Sequence, residues 1–189
     1  MDSGKKTINH VEIRKILPVQ DGYRMPGEYE PHRGCILIWP ERPGSWRNGA
    51  REAKKAFADV IRAIAKSEEV YLAASGKTFS EAEKLAQHLQ TDEALYPIRV
   101  FAAETDDAWA RDVGPTFVTD GQEVRGINWE FNAWGGTEDG LYASWEKDNR
   151  FAPFFCEKEG YTWYDARPFV LEGGSVHSDG EGTVMVTES

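Results

Sequence analysis

The sequence predicts an α/β fold assembled from propeller-like repeats, and an incomplete set of them. Three observations carry this expectation. Short apolar runs of strand length alternate with stretches of helical periodicity. Two hairpin signals, Asp120-Gly121 and Asp179-Gly180, are mixed among them, unlike a doubly wound parallel sheet. The order helix, strand, acid-bearing glycine turn, hairpin also occurs twice, with Asp112 ahead of the first hairpin dipeptide and Glu172 ahead of the second. Units of roughly 60 residues would fit only about two and a half to three times into 189 residues, so a ring would stop early and expose a strand edge. A modest self-contained α/β domain is the alternative.

The elements follow in order. Residues 1–20 are expected to form a flexible or peripheral amino terminus of one incomplete domain spanning 1–189. Gly34 to Trp39 is a nearly continuous apolar run closed by Pro40, the pattern of a buried strand, which puts Cys35 in the core. From Ala50 to Lys66, Ala53, Phe57, Val60, Ile61 and Ile64 recur at helical spacing, with Asn48 as the expected N-cap. Val70 to Ala74 reads as a strand. Thr78 and Glu81 have capping-box spacing ahead of a helix over 78–90. Ile98 to Ala102 is the next strand. Thr116–Thr119 and Gln122–Ile127 flank Asp120-Gly121, the dipeptide of a two-residue type I′ turn. A third helix is expected over 149–159, with Pro153 in its first turn and Gly160 just past its end. Phe169–Leu171, Ser175–Ser178 and Thr183–Thr187 complete the strands.

Composition excludes several function classes. The net charge is −10 and the pI about 4.9, which opposes a phosphate backbone and attracts cations, so no nucleic-acid partner is expected. The amino terminus has Lys5, Lys6, Arg14 and Lys15 but no continuous apolar run, so neither a secretory signal nor a membrane partner is expected. Two cysteines, Cys35 and Cys156, make no disulfide scaffold and no metal-ligand spacing; a reducing, cytoplasmic setting fits.

The chemistry is concentrated in Trp109-Ala110-Arg111-Asp112-Val113-Gly114-Pro115, Trp129-Glu130-Phe131-Asn132-Ala133-Trp134-Gly135-Gly136 and Leu171-Glu172-Gly173-Gly174-Ser175-Val176-His177. Asp112 and Glu172 are carboxylates on glycine-bearing turns, suited to a guanidinium or ammonium. A planar guanidinium presents paired N–H donors that match two carboxylate oxygens. The plain alternatives are a salt bridge from Asp112 to Arg111 and a turn role for Glu172. Gly173-Gly174 would let a ligand approach closely. Trp109 shares a turn with Asp112 and is the candidate for a cation–π contact, whereas Trp129, Trp134 and Trp145 read as packing. Asn132 has no role derivable from sequence. His177 and Asp179 have an H-x-D spacing, but a local hydrogen-bonding role outweighs a metal or base. A glycosidase pair of carboxylates is a remote alternative. Neither cysteine has the electropositive setting of a nucleophile.

Longer motifs then make the chain recognisable. Gly22-Tyr23-Arg24-Met25-Pro26, Ile38-Trp39-Pro40-Glu41-Arg42-Pro43, Asp107-Ala108-Trp109-Ala110-Arg111-Asp112, Glu130 to Gly136 with Asp139-Gly140-Leu141-Tyr142, and Leu171 to Ser175 occur in the order found in agmatine deiminases. The chain resembles the amino-terminal half of that family, within the wider group that includes bacterial peptidyl-arginine deiminases. The resemblance covers nearly everything from Asp21 onward. It implies a partial five-bladed α/β propeller of the pentein type, about half of the ring, and hydrolysis of agmatine to N-carbamoylputrescine and ammonia without metal or cofactor. Asp112 and Glu172 would hold the guanidinium, as catalytic and substrate-binding acids, and Trp109 would line the pocket. The cysteine nucleophile and the catalytic histidine would come from a later half, and His177 does not match that histidine. The chain alone is therefore expected to be inactive. Alternatives are a peptidyl-arginine deiminase-type enzyme and a non-catalytic polyamine-binding half-domain, with a homo-oligomer left open.

Overall fold

The computed structural model describes residues 11–90 and 94–187. Its elements are β1 (Ile13–Arg14), β2 (Gly34–Ile38), α1 (Arg51–Ile64), β3 (Glu69–Ala74), α2 (Phe79–Leu89), β4 (Ile98–Ala102), α3 (Ala110–Val113), β5 (Thr116–Thr119), β6 (Val124–Glu130), α4 (Gly136–Asp139), α5 (Phe151–Glu159), β7 (Trp163–Val170), β8 (Val176–Ser178) and β9 (Val184–Val186). The fold is mixed α/β, and the described residues form no closed barrel.

The first unit is a parallel sheet in the order β2-β3-β4, with α1 and α2 as its crossovers. Alternation along β3 decides how it packs. Val70, Leu72 and Ala74 point to Ile61, Ala65, Ala82 and Leu89 on the helix side. Tyr71 and Ala73 point the other way, into an aromatic core with Phe101, Phe151 and Phe155. Only β3 is buried along almost its whole length. β2 lies at the sheet edge and is only half-buried up to Leu37, so Cys35 is not enclosed as the apolar run implied. An apolar run reports hydrophobic neighbours, not the number of flanking strands.

The second unit has the order β1-β7-β6-β5, with β5 and β6 antiparallel and β6 and β7 parallel across α5. α5 sits so close to this sheet that a methyl at Gly126 would overlap Cys156 Sγ. The third helix is borne out, including Pro153 in its first turn and Gly160 at φ 78° after its end. β8 and β9 form a separate hairpin. Strand, acid turn and hairpin thus occur twice, as β4–α3–β5–β6 and as β7, a short 3-10 turn over Gly173–Ser175, then β8–β9.

Four local expectations need correction. Asn48 does not cap α1: Asn48, Gly49 and Ala50 all take left-handed angles, and Ala50 is the N-cap without a side-chain bond. Asparagine here serves its tolerance of that conformation. The Thr78–Glu81 capping box is not formed, because Thr78 meets Ser75 and Glu81 turns out to Lys54. The Asp120-Gly121 hairpin exists, yet Thr119 pairs with Val124, so residues 120–123 form the loop. Asp120 Oδ1 accepts the N–H groups of Gln122 and Glu123 at 2.8 Å each, which favours the longer turn. Finally, the strand expected at Phe169–Leu171 begins earlier, at Trp163. Within the amino-terminal stretch, residues 1–10 lie outside the described residues, while Ile13–Arg14 pair in parallel with Trp163–Tyr164.

Candidate active site

Asp112 sits in the single turn α3, held by backbone bonds from its N–H to Trp109 O at 2.9 Å and from Gly114 N–H to Ala110 O at 3.0 Å. Its carboxylate is half-buried and accepts the Gly174 N–H at 3.2 Å. Burial pushes the carboxyl above the usual aspartate range, opposed by the Gly174 N–H and by the Arg111 charge. The alternative partner is engaged elsewhere: Arg111 Nη1 lies 2.6 Å from Glu28 Oε1. Neighbouring residues on a helical turn point in different directions, so the Arg111–Asp112 pair is not formed.

Glu172 is the residue immediately before the 3-10 turn Gly173–Ser175. Its carbonyl accepts the N–H and the hydroxyl of Ser175, at 3.0 and 2.7 Å. Among the described residues its half-buried carboxylate takes no hydrogen bond or ion pair, so it is not spent as a turn acid. The two glycines that follow are needed by the protein itself. A methyl at Gly174 would lie 2.5 Å from Asp112 Oδ1, and one at Gly173 would overlap the Arg111 carbonyl oxygen. The two acid-bearing turns are therefore in direct contact, although their sequence positions are 60 residues apart.

The Asp112 turn opens at Trp109, whose ring belongs to an aromatic cluster. Trp109 is half-buried, packs on Trp46 with ring centroids 5.7 Å apart, and meets Trp134 edge to face at 5.6 Å. Trp134 is also edge to face with Phe131 at 5.1 Å, yet 36% of it remains exposed. Ala133 and Trp134 have φ of 56° and 61°, a left-handed pair that carries strain and precedes Gly135 and Gly136, both also at positive φ. Sequence reading assigned Trp134 to packing. The signal available was the Gly135-Gly136 pair, which lets the chain reverse and keep the indole at the surface. Asn132, without a role in sequence, bonds this reversal: its Oδ1 accepts the Gly135 N–H at 3.2 Å. Trp129 and Trp145 do pack, Trp129 with its indole N–H on Thr116 Oγ1 at 2.9 Å.

Behind the aromatic wall lies a buried acid network. Asp148 accepts the backbone N–H groups of Asp106 and Asp107 and, at 2.5 Å, the Tyr142 hydroxyl; burial raises its carboxyl to about 6. Asp107 accepts the Trp46 indole N–H at 2.7 Å and the Ser45 hydroxyl, fixing the ring beneath Trp109. This network escaped sequence reading because its members are spread from 45 to 148.

The remaining candidates stay apart from the site chemistry. Asp179 is consumed by its own turn, its Oδ1 accepting the N–H groups of Glu181 and Thr183, so it does not pair with the exposed His177. Burial pushes the Cys35 thiol up to about 11, with Glu68 adding to it, and the Cys156 thiol up to about 12. Neither is a thiolate near neutrality. Among the described residues no helix is long and apolar enough to cross a membrane.

Comparison with known proteins places this arrangement. Residues 24–189 match the family described as Porphyromonas-type peptidyl-arginine deiminase. A Listeria monocytogenes protein named "Putative agmatine deiminase 1" is 51% identical over 170 residues, covering 89% of this chain and 44% of that protein. A Selenomonas ruminantium protein with a like name is 49% identical, over 94% of this chain and 47% of its own length. The solved agmatine deiminase of Enterococcus faecalis superposes with a TM-score of 0.85 at 42% identity, across 95% of this chain and 47% of that one. The chain thus spans a little under half the length of these relatives. With its match running from Arg24 to Ser189, the chain belongs to the family of Porphyromonas-type peptidyl-arginine deiminases.

Proposed function

We propose that this chain provides the guanidinium-binding half of an agmatine deiminase, an enzyme that hydrolyses agmatine to N-carbamoylputrescine and ammonia on the way to putrescine. The observation that carries the reading is the contact between the Asp112 turn and the Gly173-Gly174 turn beside Glu172. In this reading Asp112 and Glu172 grip the planar cation from adjoining turns, and Trp109 covers its face. The repeated strand, acid turn and hairpin correspond to units of a partial five-bladed α/β propeller, and residues 1–189 are one incomplete domain of it. Cytoplasmic action fits the two unpaired cysteines.

Hydrolysis of a guanidinium also needs a nucleophile and a proton shuttle. Both described thiols are pushed away from the thiolate, and His177 is not paired with Asp179. The 189-residue chain alone is accordingly expected to bind agmatine weakly and to release no ammonia. Titration of agmatine into the chain, followed by NMR shifts of the Trp109 indole and the Gly174 amide, tests the binding half. Asp112→Asn and Glu172→Gln should each abolish those shifts. Binding that survives both substitutions would refute the clamp, and ammonia released above background would refute the inactivity.

Peptidyl-arginine is the competing substrate, since the family carries that description. An arginine residue in a peptide has no free amine at the far end, so a preference for a blocked arginine over agmatine in the same titration would select it.

A further inference from the structure

Asn128 in β6 is a polar side chain whose hydrogen bonding the fold leaves unfinished. It is only 1% exposed, its amide nitrogen reaches Asp165 Oδ1 at no better than 3.5 Å, and its Oδ1 has no partner among the described residues. Native proteins seldom bury a carbonyl in that state. Asn128 also lines a cavity of about 10 Å³ between α3, β6 and α5, whose wall includes Asp112, Asp148, Asn149 and Phe131.

The polar groups around this space can be sorted by what they still lack. Asp148 already accepts three bonds, from Asp106, Asp107 and Tyr142. Asn149 accepts the Phe131 N–H with Oδ1 and gives one amide N–H to Glu130 Oε1 at 2.7 Å, keeping a second N–H to donate. Asp112 accepts a single bond, from Gly174, leaving its carboxylate capacity for more. Two acceptors short of donors and one spare donor are the complement of a water molecule, which donates twice and accepts. The volume meets the lower bound for one water.

We propose that this cavity binds one structural water bridging the Asn128 carboxamide to the Asp112 carboxylate, which makes Asn128 a positioning residue for the cation clamp. The positioning role rests on the reading of Asp112 as an anchoring acid; the water does not. A donor on the buried side of Asp112 holds the carboxylate in one orientation and stabilises its charged form against burial. Gly174 then fixes the second side, so that the anion is presented to the ligand without having to reorganise.

Three measurements on the 189-residue chain decide this. In the native chain, a long-lived water should show cross-relaxation to the side-chain amide protons of Asn128 and Asn149; no such signal overturns the proposal. Asn128→Leu, of similar volume, should abolish the signal and raise the Asp112 carboxyl titration by about half a pH unit or more. A folded Asn128→Leu chain with native Asp112 titration refutes the positioning role. Should that variant fail to fold, Asn128→Ala removes the carboxamide that anchors the water, so the Asn149 signal should weaken or vanish and Asp112 should still shift upward; a full Asn149 signal with an unshifted Asp112 refutes the role equally. Agmatine binding should weaken about threefold or more in parallel. If agmatine does not bind the native chain at all, the functional reading falls while the water signal and the Asp112 titration still decide this inference.

Discussion

Gly174→Ala isolates the contact on which the site depends. The added methyl would lie 2.5 Å from Asp112 Oδ1, whereas ordinary contact begins near 3.4 Å, so the carboxylate must retreat by about 0.9 Å. Such a retreat breaks the 3.2 Å bond from Gly174 N–H. A hydrogen bond to a charged acceptor contributes about 1.5–3 kcal/mol, and half-exposure of Asp112 reduces this to about 1 kcal/mol. Forcing the side chain off its rotamer adds about 0.5–1.5 kcal/mol. The chain should lose about 1.5–2.5 kcal/mol of stability, or about 3–10 °C in Tm. Binding should suffer more than folding, because a carboxylate displaced by nearly an ångström no longer matches a bidentate donor pair. Gly173→Ala is the internal comparison. Its methyl meets the Arg111 backbone oxygen, which cannot rotate away, so stability should fall further, by about 1–3 kcal/mol of overpacking. Urea unfolding and agmatine titration of both variants provide the test. A Gly174→Ala chain that binds agmatine like the native one, with an unmoved Asp112 carboxyl resonance, would refute the reasoning.

Three further outcomes are expected. Asp148, raised to about 6 by burial, keeps its proton in the folded chain while the unfolded chain loses it near pH 4. Its contribution therefore makes stability fall as pH rises from about 4 to about 6, by about 2–3 kcal/mol, and urea unfolding of Asp148→Asn should show a flatter profile across that window; an identical slope would contradict it. Phe155→Ala opens the aromatic core where Phe155 meets Tyr71, Phe101 and Phe117, and should cost about 3–5 kcal/mol by calorimetry, with a loss under 1 kcal/mol counting against this packing. Trp134→Ala should weaken agmatine binding by about tenfold and cost about 1–3 kcal/mol of stability, because the edge-to-face contacts with Trp109, Phe131 and Tyr142 are lost while alanine keeps the Cβ that strains φ 61°. Unchanged affinity would return Trp134 to a packing role.

Periodicity made the helices legible because α1, α2 and α5 each bury one stripe, and the apolar stripe is written in the sequence whatever the partner. Strand limits were harder. The first half of β7, Trp163 to Ala166, contains Asp165 and is followed by Arg167 and Pro168, which interrupt the apolar pattern; its pairing with both β1 and β6 is what makes it a strand. Turn dipeptides located the hairpins, but loop length is set by side-chain bonds such as those of Asp120, which dipeptide preference does not encode. At the site, Asp112, Glu172 and Trp109 stood out because an acid beside glycines is locally unusual. Trp134, Asn128 and Asp148 did not, because their significance lies in what long-range packing puts next to them.

The glycines at 173 and 174 link these two levels. Read locally, they are permissive backbone that leaves room for a ligand. In the folded chain that room is already filled by Arg111 and Asp112, at van der Waals limits or inside them for any larger residue. A closely packed turn cannot also be the ligand's entry point, so a cation approaching Asp112 must come from another side. Gly174 and the Asn128 cavity are two of the sides already taken. The Arg111 guanidinium, drawn off by Glu28, does not compete for it. In the proposed clamp the cation enters on the side of Trp109, the residue that opens the Asp112 turn, and the indole covers its face. The proposed clamp would select for flatness as well as charge: a compact ammonium would satisfy Asp112 but gain little from the indole face, whereas a guanidinium would gain from both. Putrescine, a four-carbon diamine with an ammonium where agmatine carries its guanidinium, should bind measurably more weakly than agmatine, and equal affinities would show that charge alone is being read.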